Sequence, residues 1–284
     1  MNWLILTLIS AFTASLSRVL QKIMLKHDDS DSYTFSFIFP VLVSVALLGY
    51  TLFTKSFEFP NLASVWFNMV LMIIFYSVGS VCIYHAYQKS PASEVSIIFA
   101  SNSAWSVISA MIFLGEKLTA TNLFGILAII LGVTIINYQK SNWKLENGHV
   151  YALIGALMFG LGFTNDAIII NQFHSVPPYV FLAFILPAIA ILIYRPRLIK
   201  GLPHYFSKEI IGKLFFTAAI YALSAIAIYS AYKMGGQASI ISPIQQSNVV
   251  ITVILSYFLL NEKDKLPQKI VGAILVFGGA LLLL

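Results

Sequence analysis

Charge is what this sequence has least of. Only 10% of its 284 residues are Asp, Glu, Lys or Arg, against 59% hydrophobic ones, and the mean hydropathy is +0.86. A soluble globular domain carries about 25% charged residues. Too few are present here to coat a water-facing surface, and the chain reads as an all-α integral membrane protein. Cysteine is nearly absent. Cys82 stands alone in an apolar run, which excludes an intrachain disulfide and a Cys-rich metal site. Long polar segments are missing, so no loop holds a soluble domain. There is no phosphate-binding glycine loop and no catalytic cluster at one interface. His85 is the only histidine well inside an apolar run, and it has no companions at metal-ligand spacing. No cofactor, no nucleotide-driven motor and no enzyme is indicated. The net charge of +6 comes from lysines and arginines in short loops. Positive-inside topology is the ordinary cause of that pattern, so no nucleic-acid partner is expected.

What is present is apolar and periodic. A spanning helix needs roughly 20 apolar residues, and ten such runs occur, at about 3–26, 33–54, 62–87, 92–114, 120–138, 149–172, 177–194, 208–232, 238–260 and 266–284. The first is too long for a signal-peptide core and lacks a small-residue cleavage site, so it is kept as a spanning helix. The second half repeats the first. Tyr76, Ile83, Tyr84, Ala86 and Tyr87 recur as Tyr221, Ile228, Tyr229, Ala231 and Tyr232. Ala92, Ser93, Ser96, Ile98, Ser101 and Asn102 recur as Ala238, Ser239, Ser242, Ile244, Ser247 and Asn248. Leu114-Gly115-Glu116-Lys117 meets Leu260-Asn261-Glu262-Lys263; Gly125 and Gly132 meet Gly272 and Gly279; Pro40 meets Pro187. The chain is therefore predicted to hold ten transmembrane helices as two five-helix units, 1–140 and 147–284. Five is odd, so the second unit enters the membrane inverted, with a site expected between the repeats near the midplane.

The duplicated unit, the Gly-Glu-like signal after the fourth and ninth runs and the glycine-bearing fifth and tenth runs together resemble the EamA-type proteins of the drug/metabolite transporter superfamily. The resemblance covers nearly the whole chain. It implies a secondary active transporter in the cell (inner or plasma) membrane, often an exporter of amino acids or other small polar metabolites, working by alternating access. The third, fourth, eighth and ninth helices are implied to line the cavity. The superfamily also carries nucleotide sugars, sugar phosphates and toxic cations, so a multidrug or cation exporter is the alternative. A non-transporting membrane protein and an enzyme on lipid-linked substrates stand further behind.

Polar residues inside the apolar runs are the candidate site. Asn102 and Asn248 each lie about eleven residues into their runs, at symmetry-related positions. Gln245 is three residues from Asn248 and can share its face, and Ser101 and Ser247 stand beside the two asparagines. Facing a cavity, the amides would bind a polar substrate; facing a neighbouring helix, they would only hold helices together. Arg18 and Asp166 are the deepest charges, and an intramembrane charge is costly enough to suggest function. At 1.5 Å per residue each lies roughly 12 Å from its own face of a core about 30 Å thick, leaving about 6 Å between their depths. Arg18 on a carboxylate and Asp166 on an ammonium group or a coupling proton would suit a zwitterionic amino acid. A structural ion pair, or Arg18 snorkelling with Gln21 and Lys22, are the other readings. Tyr84 and Tyr229 are further lining candidates, each eight residues after Tyr76 and Tyr221. Tyr87 and Tyr232, at helix ends, suit an interfacial belt. Glu94, opening the fourth helix, suits the helix dipole or a proton-coupling role. Pro40, Pro187 and Pro243 interrupt helices and are hinge candidates. The glycine pairs suit close helix packing.

Of the 17 lysines and arginines, thirteen fall on the side that follows odd-numbered runs; Lys55, Lys117 and Lys233 fall on the other, and Arg18 lies within the membrane. That bias puts both termini outside, whereas the family resemblance puts both in the cytoplasm. The expected partners are membrane lipid and a small-molecule substrate, with protons as candidate coupling ion. One chain carries both halves of the site, so a monomer suffices.

Overall fold

Hydrocarbon offers a backbone amide no water, so a chain this apolar satisfies its N–H and C=O groups within its own helices. The computed structural model describes residues 2–25, 31–54, 62–114, 119–137, 147–170, 172–234 and 244–282, and regular structure among them is helical throughout. The first half comprises α1 (Asn2–Leu25), α2 (Ser32–Thr54), α3 (Trp66–Lys89), α4 (Ala92–Phe99), α5 (Asn102–Leu114) and α6 (Ala120–Asn137). The second comprises α7 (Asn147–Ile170), α8 (Val176–Tyr194), the short α9 (Leu202–Tyr205), α10 (Lys208–Lys233), α11 (Ser247–Leu259) and α12 (Leu266–Leu281). Each of the ten apolar runs carries a helix. Among the described residues, seven helical stretches are long and apolar enough to cross a membrane; Ala120–Ile135, Ser247–Leu259 and Leu266–Leu281 are apolar but shorter. The fourth run, expected as one helix, is two: α4 stops at Phe99 and α5 starts at Asn102.

Helices from the two halves pack pairwise. The closest packing sets α1 against α10 and α11, α2 against α8, α3 and α5 against α7, and α6 against α12. Exchanging the halves (α1 for α7, α2 for α8, α3 for α10, α5 for α11, α6 for α12) returns the same set of pairs. The α6–α12 crossing shows why its glycines are needed. A Cβ on Gly132 would sit 2.8 Å from the Gly272 carbonyl oxygen, and one on Gly279 would sit 2.7 Å from that of Gly125. The backbones touch where side chains would hold them apart.

The end of the bundle where α3 turns into α4 is sealed by charge and by aromatic packing. Phe35 and Phe39 are buried and stack on each other, and Tyr84 meets both edge-on. Tyr87 is 1% exposed in the same core, so it is a packing residue and not the interfacial belt residue its place at a helix end suggested. The side chain of Tyr232 lies outside the described residues. Lys22 of α1 donates to the carbonyls of Tyr87 and of Ser90, the latter at 2.8 Å, meeting acceptors that the end of α3 leaves open.

Gly132→Val is expected to destabilise the protein by about 1–3 kcal/mol, the usual cost of overpacking a tight contact. Thermal melting of the purified protein in detergent measures this, and an unchanged Tm would mean α6 and α12 separate freely.

Candidate functional site

The polar stretch Ser101-Asn102-Ser103 interrupts a helix. Past Phe99 the ladder tightens: Ser101 N–H donates to Ile98 O at 3.1 Å and Ser103 N–H to Ala100 O at 3.2 Å. Asn102 repairs the break, its side-chain amide donating to Phe99 O at 2.7 Å. Its symmetry mate does the same, with Asn248 Nδ2 donating to Gln245 O at 2.6 Å. Each asparagine is 2% exposed, and each caps the carbonyl three residues before it. Neighbouring helices fit the break closely, since a Cβ on Gly160 of α7 would meet Asn102 O at 2.7 Å.

The two broken segments touch each other and α1. Gln246 Nε2 reaches Asn102 Oδ1 at 3.4 Å. Ser15 Oγ donates to Asn248 O at 2.9 Å, and Gln245 Nε2 to Ser10 Oγ at 3.0 Å. Arg18, half-buried in the middle of α1, donates from Nη1 to Asn248 Oδ1 at 2.6 Å and lies over the Phe99 ring, 5.2 Å from its centroid. No carboxylate stands within ion-pair distance of it among the described residues, whose ion pairs all involve Glu94 or Glu262.

Asp166 is held differently. Three phenols converge on its carboxylate: Tyr76 of α3 and Tyr229 of α10 donate to Oδ2, the latter at 2.7 Å, and Tyr179 of α8 donates to Oδ1. The residue is 4% exposed. Next to it, Asn165 and Asn68 clasp each other: Asn165 Nδ2 donates to Asn68 O at 2.8 Å, and Asn68 Nδ2 to Asn165 Oδ1 at 2.8 Å. Arg18 and Asp166 form no ion pair with each other.

Both charges line one cavity of about 400 Å³ between the two halves. Its other polar lining includes Asn102, Gln245, Gln246, Asn248, Ser80 and Ser224, and its walls are aromatic, with Phe99, Phe159, Phe163, Phe184, Tyr84 and Tyr221 prominent. Of the residues singled out in the sequence, Arg18, Asn102, Asp166, Gln245, Asn248, Tyr84 and Tyr229 line this cavity, as do Pro40 and Pro187. The Pro187 carbonyl accepts from Ser77 Oγ at 3.2 Å. Ser101 and Ser247 are not among the lining residues, and their hydroxyls are buried without a hydrogen-bond partner among the described residues. Trp105 packs its Cβ beside Gly160 and is not among the lining residues. Pro243 and Glu116 lie outside the described residues. Tyr179 was not singled out, and the repeat gives no hint of it, because the matching position in the first half is Ser32.

Glu94 belongs elsewhere. At 3% exposure it meets His149 Nε2 of α7 at 2.9 Å and Lys269 Nζ of α12 at 3.9 Å. Lys269, 1% exposed, stands 3.9 Å from Glu262 as well. Glu262 in turn caps α4 from the second half. Its carboxylate accepts from Ala92 N at 2.7 Å, Ser93 N at 3.1 Å and Ser93 Oγ at 2.5 Å. The residue before it, Asn261, has φ 56°, a left-handed conformation that Asn and Gly tolerate best. The matching position in the first half is Gly115. Among the described residues no group of three or more His, Cys, Asp or Glu side chains is placed to hold a metal ion.

Two helical halves packed in matching pairs, with broken spans meeting at a polar cavity, define a multi-pass membrane transporter built on a duplicated unit. The EamA-like transporter family matches residues 1–138 and again 146–284, and the chain belongs to that family, within the drug/metabolite transporter superfamily. A solved structure, described as a crystal structure of a protein, aligns over 98% of this chain and 97% of its own length, with a TM-score of 0.64 and 14% identity. That likeness is one of fold. No curated protein matches the chain.

Breaking the buried charge cluster from one side is expected to cost about 3–5 kcal/mol. Lys269→Met should therefore lower the Tm strongly, and Glu94→Gln added to it should restore part of the loss. A double-mutant cycle measures this; strictly additive changes would show that Lys269 and Glu94 do not interact.

Proposed function

We propose that the protein is a secondary active transporter of small polar metabolites bearing an acid group, amino acids among them, which moves its substrate through this cavity by alternating access. The observation that carries the reading is Arg18: a guanidinium two turns inside a spanning helix, lining a cavity, with no carboxylate at ion-pair distance among the described residues. Burying such a charge is expensive, and a fork of N–H donors suits a carboxylate. Asp166 offers a proton site on the opposite wall, where release of a phenol would accompany its change of charge. The capped breaks before Asn102 and Asn248, with Pro40 and Pro187, give points at which the spans can bend as the halves rock. On this reading the units are 1–140 and 147–284, the second inverted, and one chain in the cell membrane suffices to build the site, with export as its direction. A cation or drug exporter is the second reading, favoured by the presence of Asp166 in the cavity lining.

Proteoliposomes loaded or unloaded with a pH gradient and offered a labelled amino-acid mixture test this. Wild type is expected to accumulate label, Arg18→Gln to lose about tenfold or more of the rate, as for loss of a charged hydrogen bond, and Asp166→Asn to accumulate label with no response to the gradient. Accumulation of quaternary ammonium dyes in place of any amino acid would move the protein to the second reading.

A further inference from the structure

The two cavity charges differ in what they leave open. A guanidinium has five N–H donors. One of Arg18's goes to Asn248 Oδ1, and the Phe99 ring lies beneath the charge. The remaining donors have no acceptor among the described residues. The Asp166 carboxylate already accepts three phenol hydrogen bonds, two on Oδ2 and one on Oδ1, inside a pocket that leaves it 4% exposed. The other oxygens of the lining amides give little to a cation. Asn102 Oδ1 accepts from Gln246 and Asn248 Oδ1 from Arg18, while Gln245 Oε1 has no partner among the described residues but is buried, and a neutral amide oxygen does not balance a positive charge. A neutral hydroxyl such as that of Ser80, also in the lining, does not balance a positive charge. The cavity therefore presents one open cation, one closed anion and aromatic walls.

Resting on the transporter reading and narrowing it, we infer that the preferred substrate is an organic monoanion, a carboxylate on an apolar, ring-sized body without an ammonium group, bound through Arg18. A zwitterion would have to displace a phenol from Asp166 or set its ammonium group against ring faces, whose attraction for a cation returns less than the cost of desolvating a charge without a hydrogen-bonded partner. A free amine meets the same wall and, in addition, the repulsion of Arg18. The three tyrosines are on this account specificity residues: they occupy the one anion that would otherwise recruit a cation. The body of the ligand lies against the phenylalanines, where apolar contact and ring edges are available.

Three probes that share a phenyl ring two carbons from the charged group separate the possibilities: 3-phenylpropanoate, phenylalanine and 2-phenylethylamine. Their binding to the purified protein in nanodiscs is read by titration calorimetry. The anion is expected to bind about tenfold or more tighter than the zwitterion, and the amine not to bind. Arg18→Gln should lose about tenfold of the anion affinity, with Arg18→Lys, which keeps the charge without the fork, falling between. Tyr229→Phe should free an acceptor on Asp166 and raise the affinity for phenylalanine and the amine relative to that for 3-phenylpropanoate. Phenylalanine binding as tightly as the anion, or anion affinity indifferent to Arg18→Gln, would overturn the inference while leaving the transporter reading in place. No binding by any of the three would also overturn it, and the uptake assay would then judge the transporter reading by itself.

Discussion

A membrane interior supplies no hydrogen-bond partners, and the rest of this structure depends on that single fact. A helix can be interrupted there only where the protein itself completes the interrupted ladder. Asn102 and Asn248 do so from within the break, each returning its side-chain amide to the carbonyl three residues back. Once the breaks are capped, their remaining oxygens are free to reach across: to Gln246 in one case, to Arg18 in the other. The cavity is thus lined by the same atoms that make the broken spans tolerable. Structural role and cavity lining, alternatives when the asparagines are viewed singly, are one arrangement here.

The ionisable groups show three solutions to the same constraint. Asp166 is solvated by phenols drawn from three helices. Arg18 is met by one amide and one ring. Glu94 and Lys269 are buried against each other's neighbours, His149 and Glu262, where α4 of the first half meets α7 and α12 of the second. Among the described residues, Arg18 alone of these groups lines the cavity with donors that have no acceptor. The third has no counterpart at the opposite end of the bundle on sequence grounds, because the positions matching Glu94 and Lys269 are Ile240 and Asn122.

Much of this was legible in the sequence because duplication acts as an internal comparison. Asn102 and Asn248 stood out by recurring at equal depth, and Gly132 and Gly279 by recurring at equal spacing, and both pairs meet across the halves or serve matching caps. Arg18 and Asp166 stood out because charge is scarce. What stayed hidden has a common cause. Tyr179 replaces nothing that recurs; Lys269 opens an apolar run and looks like one of many loop lysines; Glu262 caps a helix 170 residues away. These roles are set by which helices become neighbours, and neither periodicity nor hydropathy carries that information. The break in the fourth span was hidden for a different reason: Ser101-Asn102-Ser103 lies in a stretch apolar enough to be helical throughout, and hydropathy does not register backbone geometry.

The charge cluster that joins α4 to the second half also orders events during synthesis. Glu94 enters the bilayer with the first half, but His149, Glu262 and Lys269 are made later, and Arg18 waits longer still, 230 residues, for Asn248. An Asp or Arg at the centre of a helix costs about 2.5–3.5 kcal/mol on insertion, so a nascent first half carries unmet charge that only its own duplicate can relieve. Insertion and assembly are then separate stages. A ribosome that stopped after α6 would release not a finished module but one side of an interface, with Arg18 lacking its partner from the second half.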